Sequence, residues 1–145
     1  MKMVRMAQEK DIPILAELAL LLWPSHERNE MITDLTDLMQ QGAAFFLAED
    51  GELAVGFAQC QLRRDYVEGT QSSPVGYLEG IFVREGYRRQ GIAKMLLSAC
   101  EAWSREKGCC EFASDCELWN EESLLFHLHV GFLEANRIIC FAKQL

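Results

Sequence analysis

The run Arg88-Arg89-Gln90-Gly91-Ile92-Ala93 joins a strand-like stretch, Val75 to Val83, to a helix-like stretch that opens at Gly91. In such a turn successive backbone N–H groups can converge on an anion, and the helix N-terminus behind them adds unpaired donors and a favourable dipole. Gly91 permits close backbone approach to a ligand, and Ala93 keeps the first helical turn narrow. Arg88, Arg89 and Lys94 put positive charge here in a chain whose net charge is −8. The physical reading is a pyrophosphate cradle; a surface loop with solvated arginines is the alternative. The run is neither a P-loop nor a G-x-G-x-x-G fingerprint.

The rest of the chain reads as a mixed α/β fold built around this turn. Met3 to Met6 is a short strand. Ile14, Leu15, Leu18 and Leu22 recur at helical spacing, with Asp11 as a candidate cap, Pro13 in the first turn and Pro24 as the stop. Met31, Ile32, Leu35, Leu38 and Met39 mark a second helix ending near Gly42. Ala43 to Ala48 and Leu53 to Leu62 are strands joined by a hairpin at Glu49–Glu52. Glu68 to Ser73 is a polar loop. Ile92, Met95, Leu96, Ala99 and Trp103 form the stripe of the helix after the turn. Cys110 to Cys116 is a strand, Asn120 caps a helix through His129, and Leu133 to Leu145 closes the chain as one or two strands. The order β-α-α-β-β-β-α-β-α-β is not a regular βαβ repeat; it predicts a mixed sheet with helices on its faces. The 145 residues show no internal repeat or linker and read as a single domain, 1–145.

Composition narrows the function classes. Twenty-two acidic against fourteen basic residues leave no cationic face for phosphate neutralisation, so no nucleic-acid partner is expected. An acidic surface suits cationic small molecules or peptides. The longest apolar stretch, Ile12 to Trp23, is interrupted by Pro13 and Glu17 and is too short to span a bilayer. It also lacks a signal peptide's flanks, so a cytoplasmic location with no membrane partner is expected. Six cysteines occur without a C-x-x-C pair; free, structural thiols are expected, with Cys60, Cys100 and Cys140 in apolar stretches. No metal-ligand spacing is convincing in the sets His127/His129 and Cys109/Cys110/Cys116.

At Arg88, Gly91 and Ala93 the turn matches [QR]-x-x-G-x-[GA], and here the chain resembles the GNAT superfamily of acetyl-CoA-dependent N-acetyltransferases. Leu78-Glu79-Gly80-Ile81-Phe82-Val83 resembles that family's central strand. Asn120, Ser123, Phe126, His127, Gly131 and Phe132 resemble its second motif. A closer resemblance is to the aminoglycoside 6′-N-acetyltransferases, through Ile12 to His26, Tyr77 to Val83, and Phe112 to Asp115. The resemblance implies a GNAT fold, a mixed central sheet splayed between its middle strands and flanked by helices. It implies acetyl-CoA as co-substrate, held by Ile81, Phe82 and Val83 along the arm, by Arg89, Gln90, Gly91, Ile92, Ala93 and Lys94 at the pyrophosphate, and by Asn120, which an N-cap role explains equally well. It implies an aminoglycoside bound by Trp23, His26, Tyr66, Glu79 and Asp115. It also implies a homodimer, with the region of Asn136 completing a neighbour's acceptor site.

Acetyl transfer to an amine needs a base, a positioned thioester, a donor for the carbonyl oxygen and a proton for the thiolate. Glu79 is the first choice for the base, because a carboxylate inside an apolar strand is costly unless functional or paired. Strand alternation predicts Tyr77, Glu79, Ile81 and Val83 on one face. Asp115, at the end of the next strand, is placed to bind ammonium groups or share in deprotonation; a capping or loop aspartate is the plainer reading. Trp23 offers a cation-attracting face or simple core packing. Trp103 and Trp119 are assigned to packing. The Val83 N–H or a neighbour is the expected oxyanion donor. His127 stands where many family members carry tyrosine; it is either a proton donor or a structural helix residue. Another amine acceptor, such as a polyamine or a protein N-terminus, and a non-catalytic acetyl-CoA-binding domain are the alternatives.

Overall fold

The computed structural model describes residues 2–145. Five strands form one sheet in the order β1-β2-β3-β4-β5: β1 is Lys2–Met6, β2 Ala44–Asp50, β3 Leu53–Arg63, β4 Val75–Val83 and β5 Phe112–Ser114. β1 to β4 pair antiparallel in sequence order, and β5 lies parallel to β4. Parallel pairing requires a long crossover, which is the helix α3, Ile92–Glu106. The other helices are α1 (Ile12–Leu22), α2 (Arg28–Gln40) and α4 (Glu121–His129). The mixed sheet with helices on its faces is therefore as expected.

Each face of the sheet has its own core. Leu96, Leu97, Cys100 and Trp103 of α3 pack on Phe46, Val55, Ala58, Leu78 and Val83. Leu15, Leu18 and Ala19 of α1, with Met31 and Leu35 of α2, pack on Phe45, Leu47 and Phe57. Leu96 is fully buried, so its truncation to alanine costs about 2–5 kcal/mol. Met95, expected in the same stripe, is exposed at the helix margin.

Five expectations are corrected. Asp11 does not cap α1: it closes a 3-10 turn over Glu9–Asp11, accepts from the Gln8 N–H at 2.8 Å, and takes both terminal nitrogens of Arg5 at 2.9 Å. The strand expected over Cys110 to Cys116 is only three residues long. Residues 133–145 form no strand and pair with none of the five; Leu133, Ile138, Ile139 and Phe141 are exposed. Trp119 is 77% exposed rather than packed, and Cys140 is exposed as well, whereas Trp103 is buried. All six cysteines are free, with Cys60, Cys100 and Cys109 buried. Burial pushes the Cys109 thiol up, and contact with Cys60, then burial, raises that of Cys100, so neither is poised as a thiolate. Among the described residues no helix is long and apolar enough to cross a membrane.

Candidate active site

The site forms where β4 loses its second neighbour. β5 pairs with β4 only from Gly76 to Leu78, so from Gly80 to Val83 the strand pairs with β3 alone. The Val83 carbonyl accepts from Arg88 Nε at 2.9 Å rather than from a strand. In a strand the N–H and C=O of one residue share an edge, so the Val83 N–H faces the same open side. A splayed sheet of this kind leaves a row of backbone donors and acceptors for an extended, amide-bearing ligand.

A bulge sets the side chains. Gln59 pairs with Gly80 and Cys60 with Leu78, leaving Glu79 as the extra residue of β4. A bulge resets the alternation of a strand and is frequent beside active sites. Hence the expected common face is corrected: Ile81 and Val83 pack with α3, while Phe82 turns to the α1–α2 face. Tyr77 belongs to a small cluster with Val67 and Val75. Gly80 has Trp23 directly above it; a Cβ there would lie 2.6 Å from the indole. The missing side chain thus lets Trp23 pack over Gly80, the residue after the bulged glutamate, edge-on to Phe57 at 6.1 Å.

Glu79 is not alone. Arg63, the last residue of β3, forks onto it: Nε donates to Oε2 at 3.1 Å and Nη2 to Oε1 at 2.9 Å. The Arg63 guanidinium carbon lies 3.5 Å from the centroid of the Tyr77 ring. The Tyr77 hydroxyl in turn donates to Asp115 Oδ2. Burial, followed by this bond to a carboxylate, lifts Tyr77 above the ordinary phenol range, so it stays protonated and donates. Burial works against the Arg63 charge, but Glu79, Tyr77 and Asp115 outweigh it and raise its pKa. Glu79, Arg63, Tyr77 and Asp115 therefore form one connected network beside Trp23.

The turn after β4 has the backbone of an anion cradle. Arg89 and Gly91 both have left-handed φ, 62° and 81°, which turns successive N–H groups inward as a nest. Gly91 is the N-cap of α3, with no side-chain cap and no acid in the first turn. A Cβ on Gly91 would meet nothing within 4 Å. An open groove of about 480 Å3 runs past Val4, Gly91, Lys94, Met95 and Ser98. The Ile92 side chain is buried, so only its backbone faces the groove; Arg89, Gln90 and Lys94 are exposed and Ala93 is half-buried. These features fit a diphosphate: unpaired donors, positive charge, open space and no competing carboxylate in that first turn.

Opposite β4, His127 of α4 bridges Ser123 and Ser114. Its Nδ1 lies 2.7 Å from the Ser123 carbonyl and its Nε2 2.8 Å from Ser114 Oγ. With the imidazole neutral, the carbonyl fixes the proton on Nδ1, and Nε2 accepts from the Ser114 hydroxyl. Asn120 is the N-cap of α4, its side chain accepting from the Ser123 N–H at 3.1 Å. The remaining expected residues lie outside the network. His26 is exposed and 3.3 Å from Glu30. Tyr66 is exposed, and Asn136 donates to Glu68 at 2.8 Å, which ties the C-terminal arm to the loop that carries Tyr66. Sequence reasoning missed Arg63 and Ser114. The only available sign for Arg63 was its place at a strand end, near an unexplained glutamate inside an apolar strand. Among the described residues no group of three or more His, Cys, Asp or Glu could hold a metal ion.

The match to the acetyltransferase (GNAT) family spans residues 12–132, and the chain belongs to that family. It is 42% identical over 125 residues to aminoglycoside N(6′)-acetyltransferase type 1 of Salmonella typhimurium, covering 85% of this chain and 86% of the relative. It is 40% identical to the protein of that name from Stenotrophomonas maltophilia, covering 98% of this chain and 93% of the relative. The structure superposes with a TM-score of 0.97 on aminoglycoside N-acetyltransferase AAC(6′)-Iy in complex with CoA, at 36% identity, covering 100% of this chain and 96% of that one. It superposes at 0.96 on AAC(6′)-Iy bound to the bisubstrate analogue CoA-S-monomethyl-acetylneamine, at 36% identity, covering 100% and 99%.

Proposed function

We propose that this chain transfers the acetyl group of acetyl-CoA to the 6′-amine of an aminoglycoside, and so confers resistance to such antibiotics. The relatives' names and the bisubstrate complex support the activity. Within this chain, one observation carries it: a two-carboxylate network, Glu79 and Asp115, lies beside Trp23 where the β4 edge becomes free. Carboxylates and aromatic faces are the groups that recognise a polyammonium ligand.

The co-substrate supplies the acetyl group as a thioester, already activated toward an amine. The Arg89 to Lys94 turn holds its diphosphate, and the open edge at Ile81, Phe82 and Val83 holds its amide-bearing arm. Glu79 takes the proton from the acceptor's ammonium, directly or through a water, because only the free amine has a lone pair to attack with. The Val83 N–H donates to the carbonyl oxygen as negative charge builds there. For the departing thiolate, a protonated His127 gives its Nε2 proton to the Ser114 oxygen as the Ser114 hydroxyl proton passes to sulfur, leaving the imidazole neutral with its proton on Nδ1. Asp115, aimed by Tyr77, holds a second ammonium group. Trp23, His26 and Tyr66 line the acceptor's path, with Asn136 close to Tyr66 through Glu68. Asn120 caps the start of α4 and is assigned to the co-substrate's arm.

We read residues 1–145 as one acetyltransferase domain, working in the cytoplasm as a homodimer. The exposed apolar side chains of the arm, Leu133, Ile138, Ile139 and Phe141, support the dimer, as does the second, unpaired edge of β5. A second copy supplies both an edge for the arm and an arm for the edge.

Mass spectrometry of kanamycin or tobramycin after incubation with the protein and acetyl-CoA tests the activity. One added acetyl group, placed on the 6′-amine by fragmentation, is expected. An unmodified drug, with acetyl-CoA binding intact, would move the acceptor to another amine.

A further inference from the structure

Arg63 occupies an unusual seat. Its guanidinium is forked onto Glu79, at 2.9 Å and 3.1 Å, and lies over the ring of Tyr77, whose hydroxyl is tied to Asp115. A carboxylate with an aromatic face beside it is what an organic ammonium group seeks. In this chain that seat is already taken by a cation of the protein's own. The Glu79 side chain is 17% exposed and that of Arg63 40% exposed, so the arginine is the more open of the two to solvent. Arg63 also ends β3 and is followed by a strand-free loop, so its side chain can leave without breaking the sheet.

We propose that Arg63 is an internal counter-cation which holds the acceptor's ammonium seat until a substrate ammonium displaces it, and that this exchange selects polycations over simple amines. The inference rests on the reading that Glu79 faces the acceptor. A lone ammonium that takes the seat gains about what Arg63 loses, so a simple amine binds weakly. A polycation makes further contacts, at Asp115 for one, that Arg63 does not contest. In the free protein the arginine also keeps a half-buried carboxylate compensated; an unpaired charge there is costly.

The test compares binding of a simple dication, 1,3-diaminopropane, by calorimetry to the wild type, Arg63→Met and Arg63→Lys. Methionine keeps an apolar stem over Tyr77 but removes the charge. It should bind the diamine roughly tenfold more tightly, the worth of one partly exposed ion pair with a cation–π contact. Lysine keeps the charge and should stay within about twofold of the wild type, since the compact ammonium retains the seat. The gain in Arg63→Met should vanish when Glu79→Gln is added. A purely structural role for Arg63 predicts weaker binding in Arg63→Met, and diamine binding no tighter than the wild type's overturns the proposal. A second measurement needs no variant fold: the Arg63 Nε–H resonance should be protected from exchange in the free wild type and lose that protection on saturation with the diamine. Protection retained at saturation would also overturn it. If kanamycin is not acetylated by the wild type while the diamine results hold, the drug assignment fails and the internal cation stands.

Discussion

Tyr77 and Asp115 are joined by a hydrogen bond from the phenol to the carboxylate, across 38 positions of sequence, at the last point where β4 and β5 still run together. The bond fixes an otherwise exposed aspartate at the mouth of the splay. Tyr77→Phe keeps the ring under Arg63 and removes only the donor. The expected outcome is a fall of roughly ten- to a hundredfold in kcat/KM, carried by KM for the drug, since a hydrogen bond to a charged group is worth about 1.5–3 kcal/mol. KM for acetyl-CoA should not move. Steady-state kinetics with each substrate varied in turn reads both.

Glu79→Gln preserves shape and one acceptor oxygen while removing the base. kcat should fall by about 10²–10⁴, the usual worth of a positioned acid or base, and acetyl-CoA affinity should be unchanged, because the cradle lies at the far end of the strand. Equal kcat for the two proteins would remove Glu79 from the proton-transfer step.

Gly91 sits at φ 81° with open space where a side chain would stand. A non-glycine residue there costs about 1–2 kcal/mol in the backbone, which lowers the melting temperature by a few degrees without unfolding the protein. Gly91→Trp should therefore fold, as read by circular dichroism, and lose acetyl-CoA binding in calorimetry, as the indole fills the groove. Undiminished binding would move the cofactor site elsewhere.

Local pattern made the scaffold legible. The apolar stripes of α1, α2 and α3, the exact span of β4 and the cap at Asn120 follow from periodicity and capping chemistry that act within one turn or strand. What stayed hidden depends on pairs distant in sequence. The bulge at Glu79 arises from the register of β3 on β4, and no single-strand pattern encodes it. Arg63 and Tyr77 become partners of the acidic pair only through that register. Asp11 reads as a helix cap, but a bidentate arginine from β1 claims its oxygens. The C-terminal run has strand character, yet it pairs with no strand of its own chain.

That last mismatch is itself testable. If the arm finds its partner in a second copy, charges on its apolar positions should dissociate the dimer. Ile139→Asp with Phe141→Asp should shift the wild-type species from dimer to monomer in sedimentation velocity. A wild type that sediments as a monomer at micromolar concentration would remove the dimer from the functional reading.

An acid-sensitive contact lies at the other end of the sheet. The Arg5 guanidinium, bonded to Asp11 and also to Glu49 at 2.7 Å, holds the Asp11 carboxyl down at about 2 from an ordinary 3.8. Its folded pKa is depressed, so the stabilisation is fully present above the unfolded value, near pH 4, and is lost as pH falls through about 2. With Asp11 nearly buried, the contribution is on the order of 1–2 kcal/mol. Asp11→Asn should lower stability at neutral pH by that amount or more, because Arg5 loses its bidentate partner and Gln8 N–H an anionic acceptor. The same variant should show a shallower fall in stability between pH 4 and pH 2. Urea unfolding of both proteins across that range measures the two slopes. Parallel curves would mean that Asp11 does not carry the acid response.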